Sequence, residues 1–241
     1  MMTDPLVPVI HSPVIAIALT LAAFLCAVWL YRRSGWLVLQ PVLVTMLIII
    51  GGIRLLGLDY QAYREAAVPI SWLLGPATVA LAVPLYRNVR RIRQALWPVM
   101  LTLLVGGVAI VALTLLFARW LGADVPVLMT LATKSVTMPI AMPLAEQLGG
   151  IAALAAVLVM LTGVAGTAML PPLLNLCGVQ HPAARGMAYG MNAHAVGTAR
   201  ALEEGDECGA FAALALAMGA LGALTAVLLP LAFLLWHGLL D

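Results

Sequence analysis

The run Thr133-Lys134-Ser135-Val136-Thr137-Met138-Pro139 places the chain's only lysine among hydroxyls and just ahead of a proline. Its surroundings are apolar: 64% of the 241 residues are hydrophobic and 9% are charged. An ammonium group at membrane depth costs free energy unless it is paired or wet, so such a residue is by default a candidate functional group. Pro139 cannot donate to the carbonyl one turn earlier, which leaves that carbonyl in need of another partner. Lys134, Ser135 and Thr137 beside freed backbone groups suit a small carboxylate. The same lysine near a helix end also fits a second role, in which it snorkels to the interface and binds nothing.

A second group is Gly190-Met191-Asn192-Ala193-His194-Ala195-Val196-Gly197-Thr198-Ala199-Arg200. On a helix, His194 and Thr198 lie four apart on one face, with Gly190 one turn before. Gly197 permits close helix approach. Arg200 is a further cation, and Glu203 is within a helical turn of it. These residues suit either a second wall of a binding site, with a proton-coupled gate, or interhelical hydrogen bonding. Glu203, Glu204, Asp206 and Glu207 read as a solvated acidic loop. The third group is Gly75-Pro76-Ala77-Thr78, a break in an apolar run that either opens backbone to a ligand or merely kinks a helix. Gly163-Val164-Ala165-Gly166-Thr167 reads as a small-residue packing face.

No GxSxG, HExxH, P-loop or dinucleotide fingerprint is present, so no catalytic residue is assigned and an enzyme is not expected. Cys26, Cys177 and Cys208 are far apart and form no CxxC pair, so they read as packing residues; no metal site or cofactor is expected. A net charge of +2 gives no reason to expect nucleic-acid binding.

The elements that must position these residues are membrane helices. A soluble domain needs about a quarter of its residues charged, and a bilayer core needs about 20 apolar residues per helical span. The chain therefore predicts an all-α, polytopic membrane protein in one domain over 1–241, embedded in a lipid bilayer. Eight membrane-crossing elements can be drawn: about Val9–Tyr31, Trp36–Leu56, Pro69–Tyr86, Leu96–Trp120, Pro126–Gln147, Ile151–Leu176, Ala183–Leu202 and Gly209–Trp236. The first lacks a basic leader or a cleavage site and reads as a retained span. The third is interrupted by Gly75-Pro76 and Pro84, and the fifth by Pro139 and Pro143. Arg32, Arg33, Arg87, Arg90, Arg91 and Arg93 fall on one side, which the positive-inside rule makes cytoplasmic. Eight crossings put both termini outside. If the fifth or seventh element is re-entrant, the count and the placement of the C-terminus change.

Internal similarity suggests helix-pair units of about 55 to 60 residues. Leu30-Tyr31-Arg32 returns as Leu85-Tyr86-Arg87, and 78–85 resembles 137–144. Likewise 167–173 resembles 225–231. Chance matching in a low-complexity apolar sequence is the alternative. If the repeat is real, the third and fifth elements are equivalent, and interrupted segments in corresponding positions point to a transporter site.

Four blocks in order carry a resemblance to a known family: Leu74–Tyr86, Ala132–Ala141, Gly163–Gly166 and His194–Ala201, continued by Glu207 and Gly209-Ala210-Phe211. They resemble the LrgB/CidB family over most of the chain after about Leu37. Val196 stands where isoleucine is expected in many relatives. The resemblance implies a multi-pass bacterial inner-membrane protein that works with a smaller LrgA/CidA-type membrane protein. It also implies one of two functions: antiholin-like control of murein hydrolase export and autolysis, or movement of small carboxylates such as pyruvate, glycolate or glycerate. The residues favour transport of a monocarboxylate, because a holin regulator has no need of a buried lysine beside broken helices. Lys134 is then the charge partner, Ser135, Thr137 and Thr78 line the site, and His194, Thr198 and Arg200 form the opposite wall. A homo-oligomer fits a membrane protein of this size.

Overall fold

The computed structural model describes residues 12–36 and 39–219, together with Leu228, Pro230 and Ala232. These residues are helical or in turns and include no strand. Half of the expected eighth element, about Gly209–Trp236, lies outside the described residues. The chain divides into two compact units, Met1–Ala80 and Leu81–Asp241, and each is described by itself.

The first unit holds α1 (Pro13–Ser34), α2 (Pro41–Leu55), α3 (Tyr60–Ala66), α4 (Val68–Trp72) and α5 (Leu74–Ala80). Ala16, Ala23 and Ala27 are the buried residues of α1, small enough for neighbouring helices to approach closely. Thr20 Oγ1 shares a 2.7 Å hydrogen bond with the Tyr63 hydroxyl, tying α1 to α3. Asp59 caps α3 by accepting from the Ala62 amide at 3.1 Å.

The second unit holds α6 (Ala82–Arg87), α7 (Val89–Gln94), α8 (Leu96–Trp120), α9 (Val125–Ala132), a 3₁₀ turn (Thr133–Ser135), α10 (Met138–Gln147), α11 (Ala152–Leu176), α12 (Pro182–Glu204) and α13 (Asp206–Ala217). Among the described residues, Pro13–Ser34, Val68–Arg87, Leu96–Trp120 and Ala152–Leu176 are long and apolar enough to cross a membrane, and Pro41–Leu55 is a shorter apolar helix.

Proline placement explains where the third element breaks. A proline removes the hydrogen bond to the carbonyl four residues earlier. Counting back four from Pro76, Pro84 and Pro98 gives Trp72, Ala80 and Gln94, the last residues of α4, α5 and α7. The expected breaks at Gly75-Pro76 and Pro84 are thus corrected by one turn. Gly75 and Pro76 sit in the first turn of α5, where a missing donor is harmless, and the chain breaks at Leu73 and Leu81. The same count from Pro139 gives Ser135, where the 3₁₀ turn ends. Pro143 is a second correction. It lies inside α10 without ending it. Ala141 and Ala145 are fully buried on either side of it, and Ala141 packs with Val136 and Val159 of α11, so tertiary packing holds the helix through the gap. The suggested repeat of 78–85 in 137–144 is not reproduced in the backbone: the first crosses the break at Leu81, while the second opens one continuous helix.

Candidate functional site

The fifth and seventh sequence elements fold as hairpins of half-helices. In a straight helix Arg185 and Glu204 would be about 28 Å apart along the axis. Instead Arg185 Nε donates to Glu204 Oε2 at 2.7 Å, and the Tyr189 hydroxyl donates to Glu204 Oε1 at 2.5 Å. The reversal occurs at His194, whose backbone (φ 51, ψ −132) divides α12 into halves 182–193 and 195–204. A Cβ on Gly197 would lie 2.4 Å from the Tyr189 carbonyl oxygen, so glycine is what lets the returning half pass the incoming one. The first hairpin closes differently. Thr130 Oγ1 accepts from the Ile151 amide at 2.8 Å and donates to the Pro126 carbonyl at 2.7 Å, tying α9 to the N-cap of α11, four residues beyond α10. Its reversal uses the 3₁₀ turn, extended Val136 and Thr137 at the N-cap of α10. No half-helix exceeds about 18 Å, against a hydrocarbon core of about 30 Å.

The two hairpins enter from opposite ends of α8, which serves as a depth scale. The first packs its open end on Val111, Leu115 and Ala118, toward the C-terminus of α8. The second packs Met187 on Ile92, Val99 and Leu103, toward the N-terminus. At that same end Arg87 pairs with Asp206 at 3.4 Å, and Arg91 pairs with Glu207. The tips meet around a cavity of about 40 Å³ lined by Ser135, Val136 and Thr137 of the first and by Gly190, Met191 and His194 of the second. Leu103, Gly107 and Ile110, near the middle of α8, and Ala215, Leu216, Met218 and Gly219, at and just after the end of α13, complete it. That is room for about three water-sized groups.

His194 is 7% exposed, and neither ring nitrogen has a hydrogen-bond partner. Its ring lies against the Ser135 backbone without reaching hydrogen-bond geometry, within electrostatic range of Lys134. It is the one non-glycine residue with positive φ among those described; such backbone costs about 1–3 kcal/mol and gathers at functional sites. Lys134 is half-buried in the 3₁₀ turn and pairs with no carboxylate among the described residues. It flanks the cavity rather than lining it. Each tip offers freed carbonyls where one half-helix ends and freed amides where the next begins.

Three expected site residues lie elsewhere. Thr198 is buried, but its hydroxyl donates to the His194 carbonyl at 2.9 Å and braces the reversal. Arg200 pairs with Glu203 at 2.5 Å toward the open end of the second hairpin. Thr78 is exposed in the first unit, its hydroxyl turned back onto the Leu74 and Gly75 carbonyls of its own helix. Gly163 and Gly166 do form a packing face: a Cβ on Gly166 would lie 2.9 Å from the Ala193 Cβ, so α11 rests directly on the reversal at His194. Reading the sequence missed Thr130, Arg185 and Tyr189 as the clasps of the hairpins. The i, i+4 glycine pair Gly186/Gly190 was the available signal for the tight packing of α12 on α13.

The sequence profile of the LrgB-like family matches residues 20–235. The uncharacterized protein YxaC of Bacillus subtilis is 36% identical over 193 residues, covering 80% of this chain and 84% of that protein. The uncharacterized protein YwbG of the same organism is 31% identical over 221 residues, 92% of this chain and 98% of that protein. A Bacillus mycoides protein named antiholin-like protein LrgB is 29% identical over 221 residues, 91% and 95% of the two chains. No solved structure is similar at a significant level.

Proposed function

The chain belongs to the LrgB-like family of multi-pass membrane proteins, and from that premise we propose that it moves small monocarboxylates, such as pyruvate or glycolate, across the bacterial inner membrane. The observation that carries this reading is His194: a buried imidazole with both nitrogens unpartnered, facing a small cavity where two opposed hairpins meet beside Lys134. Lys134 supplies the charge that a carboxylate needs. The Ser135 and Thr137 hydroxyls, on the same turn, supply donors to its oxygens. His194 faces them and completes the wall, with its imidazole available to carry a proton with the substrate. Hairpins that reach mid-depth from opposite ends offer one thin barrier on each side of the site, which is what alternating access requires.

A second reading rests on the relatives named antiholin-like. In it the protein does not transport but restrains murein hydrolase export and autolysis together with an LrgA/CidA-type partner. Uptake of labelled pyruvate into proteoliposomes decides between the two. Saturable uptake by the intact protein, reduced at least about tenfold in Lys134→Met, is the expected result. Equal uptake by both would overturn the role of Lys134. No uptake of any short carboxylate, with or without the partner, would overturn transport. A lysis phenotype indifferent to Lys134→Met but sensitive to Gly163 or Gly166 would then favour the regulator.

A further inference from the structure

Arg87, Arg90, Arg91 and Arg93 form the densest cluster of charge in the sequence, between the apolar runs Val68–Arg87 and Leu96–Trp120. Two of the four are engaged within the second unit, Arg87 with Asp206 and Arg91 with Glu207. Arg90 and Arg93 are exposed and form no ion pair among the described residues. They are three apart on α7, hence neighbours on one helix face. Ile92 between them is buried against Val99 and Phe211, so the helix is anchored and its two guanidinium groups are held at the surface.

Directly C-terminal, α8 opens with Trp97 at 84% exposure, followed at helical spacing by exposed Leu101 and Leu104. These residues, with Pro98 and Met100, line an apolar groove along the outer face of α8. Tyr86 is exposed as well, so aromatic side chains flank the basic segment on both sides, as they do at a membrane–water interface. A soluble anion would need the arginines and not the groove. A neutral lipid would need the groove and not the arginines.

We infer that Arg90, Arg93 and the Trp97–Leu101–Leu104 stripe form a binding site for one anionic phospholipid, its phosphate on the two guanidinium groups and an acyl chain in the groove. Each arginine near an anionic headgroup contributes roughly fivefold in affinity, so two give a preference of about 25-fold over a zwitterionic lipid. The test titrates the full chain in detergent with brominated-chain phosphatidylglycerol or phosphatidylcholine. The signal is the quenching that Trp97→Phe removes. Phosphatidylglycerol should quench it at about 25-fold lower concentration, and Arg90→Gln/Arg93→Gln should shrink that ratio to under about threefold. Equal quenching by the two lipids in the unmodified protein would overturn the site. So would an equal loss in Arg87→Gln/Arg91→Gln, which would mean a response to net charge alone. Abolition of the preference by inorganic phosphate would reassign the arginines to a soluble anion.

Discussion

The two hairpins reach the same depth by unlike means. The first turns over five residues, 133–137, all with ordinary backbone angles, and is closed by a neutral hydrogen bond from the Ile151 amide to Thr130. The second turns at one strained residue, His194, and is closed by a charged clasp of Arg185, Tyr189 and Glu204 near the helix ends. Arg185 also reaches the Asn175 side chain at 2.9 Å and the Val179 carbonyl at 3.0 Å, so the clasp includes the end of α11. A relaxed turn fixed by neutral bonds makes a static wall. A strained turn held by a titratable clasp depends on that clasp to stay closed. If the proposed transport holds, the first hairpin is the fixed wall of the site and the second is the part that moves.

The largest expected effect tests whether the second hairpin is seated as tightly as this requires. A Cβ at Gly186 would lie 2.2 Å from the Cys208 carbonyl oxygen, and one at Gly190 would lie 2.4 Å from that of Ala212. Both obstacles are backbone, so Gly186→Ala or Gly190→Ala should cost at least about 3 kcal/mol and abolish a monodisperse peak in size-exclusion chromatography. Gly163→Ala meets only ordinary contact at 3.5 Å and should cost under about 1 kcal/mol. Similar losses at Gly163 and Gly186 would mean that α12 does not rest on α13 as described.

The clasps differ in chemistry, and pH separates them. Burial alone would raise the Glu204 carboxyl, but the Arg185 guanidinium and the Tyr189 hydroxyl hold it below the usual carboxylate range. A carboxyl lowered on folding stabilises fully above its unfolded value, about 4.3, and that contribution disappears as pH falls through the lowered folded value. Glu204→Gln should therefore lower stability by about 1–3 kcal/mol at pH 7 and flatten the acid limb of the thermal-melting profile. Thr130→Val should lower stability by about 1 kcal/mol and leave that limb unchanged. An acid limb that survives in Glu204→Gln would assign it to other carboxylates.

What the sequence made legible follows the same division. The break in the first hairpin was visible because its devices are compositional: a lone lysine, two hydroxyls and Pro139, whose missing donor ends the turn at Ser135. The packing role of Gly163 and Gly166 was visible for a similar reason, since small residues at a helix face mean close approach. The reversal at His194 was not. A left-handed histidine has no propensity signature, and 190–200 has continuous helical spacing, so periodicity puts His194 and Thr198 on one face of one helix. His194 is instead the residue at which the chain reverses, and Thr198 lies one turn into the returning half. The pairing of Arg185 with Glu204 across 19 residues was equally hidden, because only the turn brings them together. Arg200 with Glu203 was readable, being local.

The smallest expected effect is the sharpest probe of the strained turn. Glycine adopts positive φ without penalty, so His194→Gly removes the backbone strain together with the imidazole, whereas His194→Ala removes the imidazole and keeps the strain. Relief of about 1–3 kcal/mol is offset by roughly 0.5–1 kcal/mol of added chain entropy in the unfolded state. The Gly variant should then exceed the Ala variant by about 1 kcal/mol, or about 2–4 °C in melting temperature. Pyruvate uptake should fall in both, because both lose the cavity-facing ring. If strain also keeps the second hairpin poised to open, the Gly variant should transport less than the Ala variant despite being the more stable of the two. Equal melting temperatures would mean that the turn at His194 is relaxed, and the two hairpins would then differ only in their clasps.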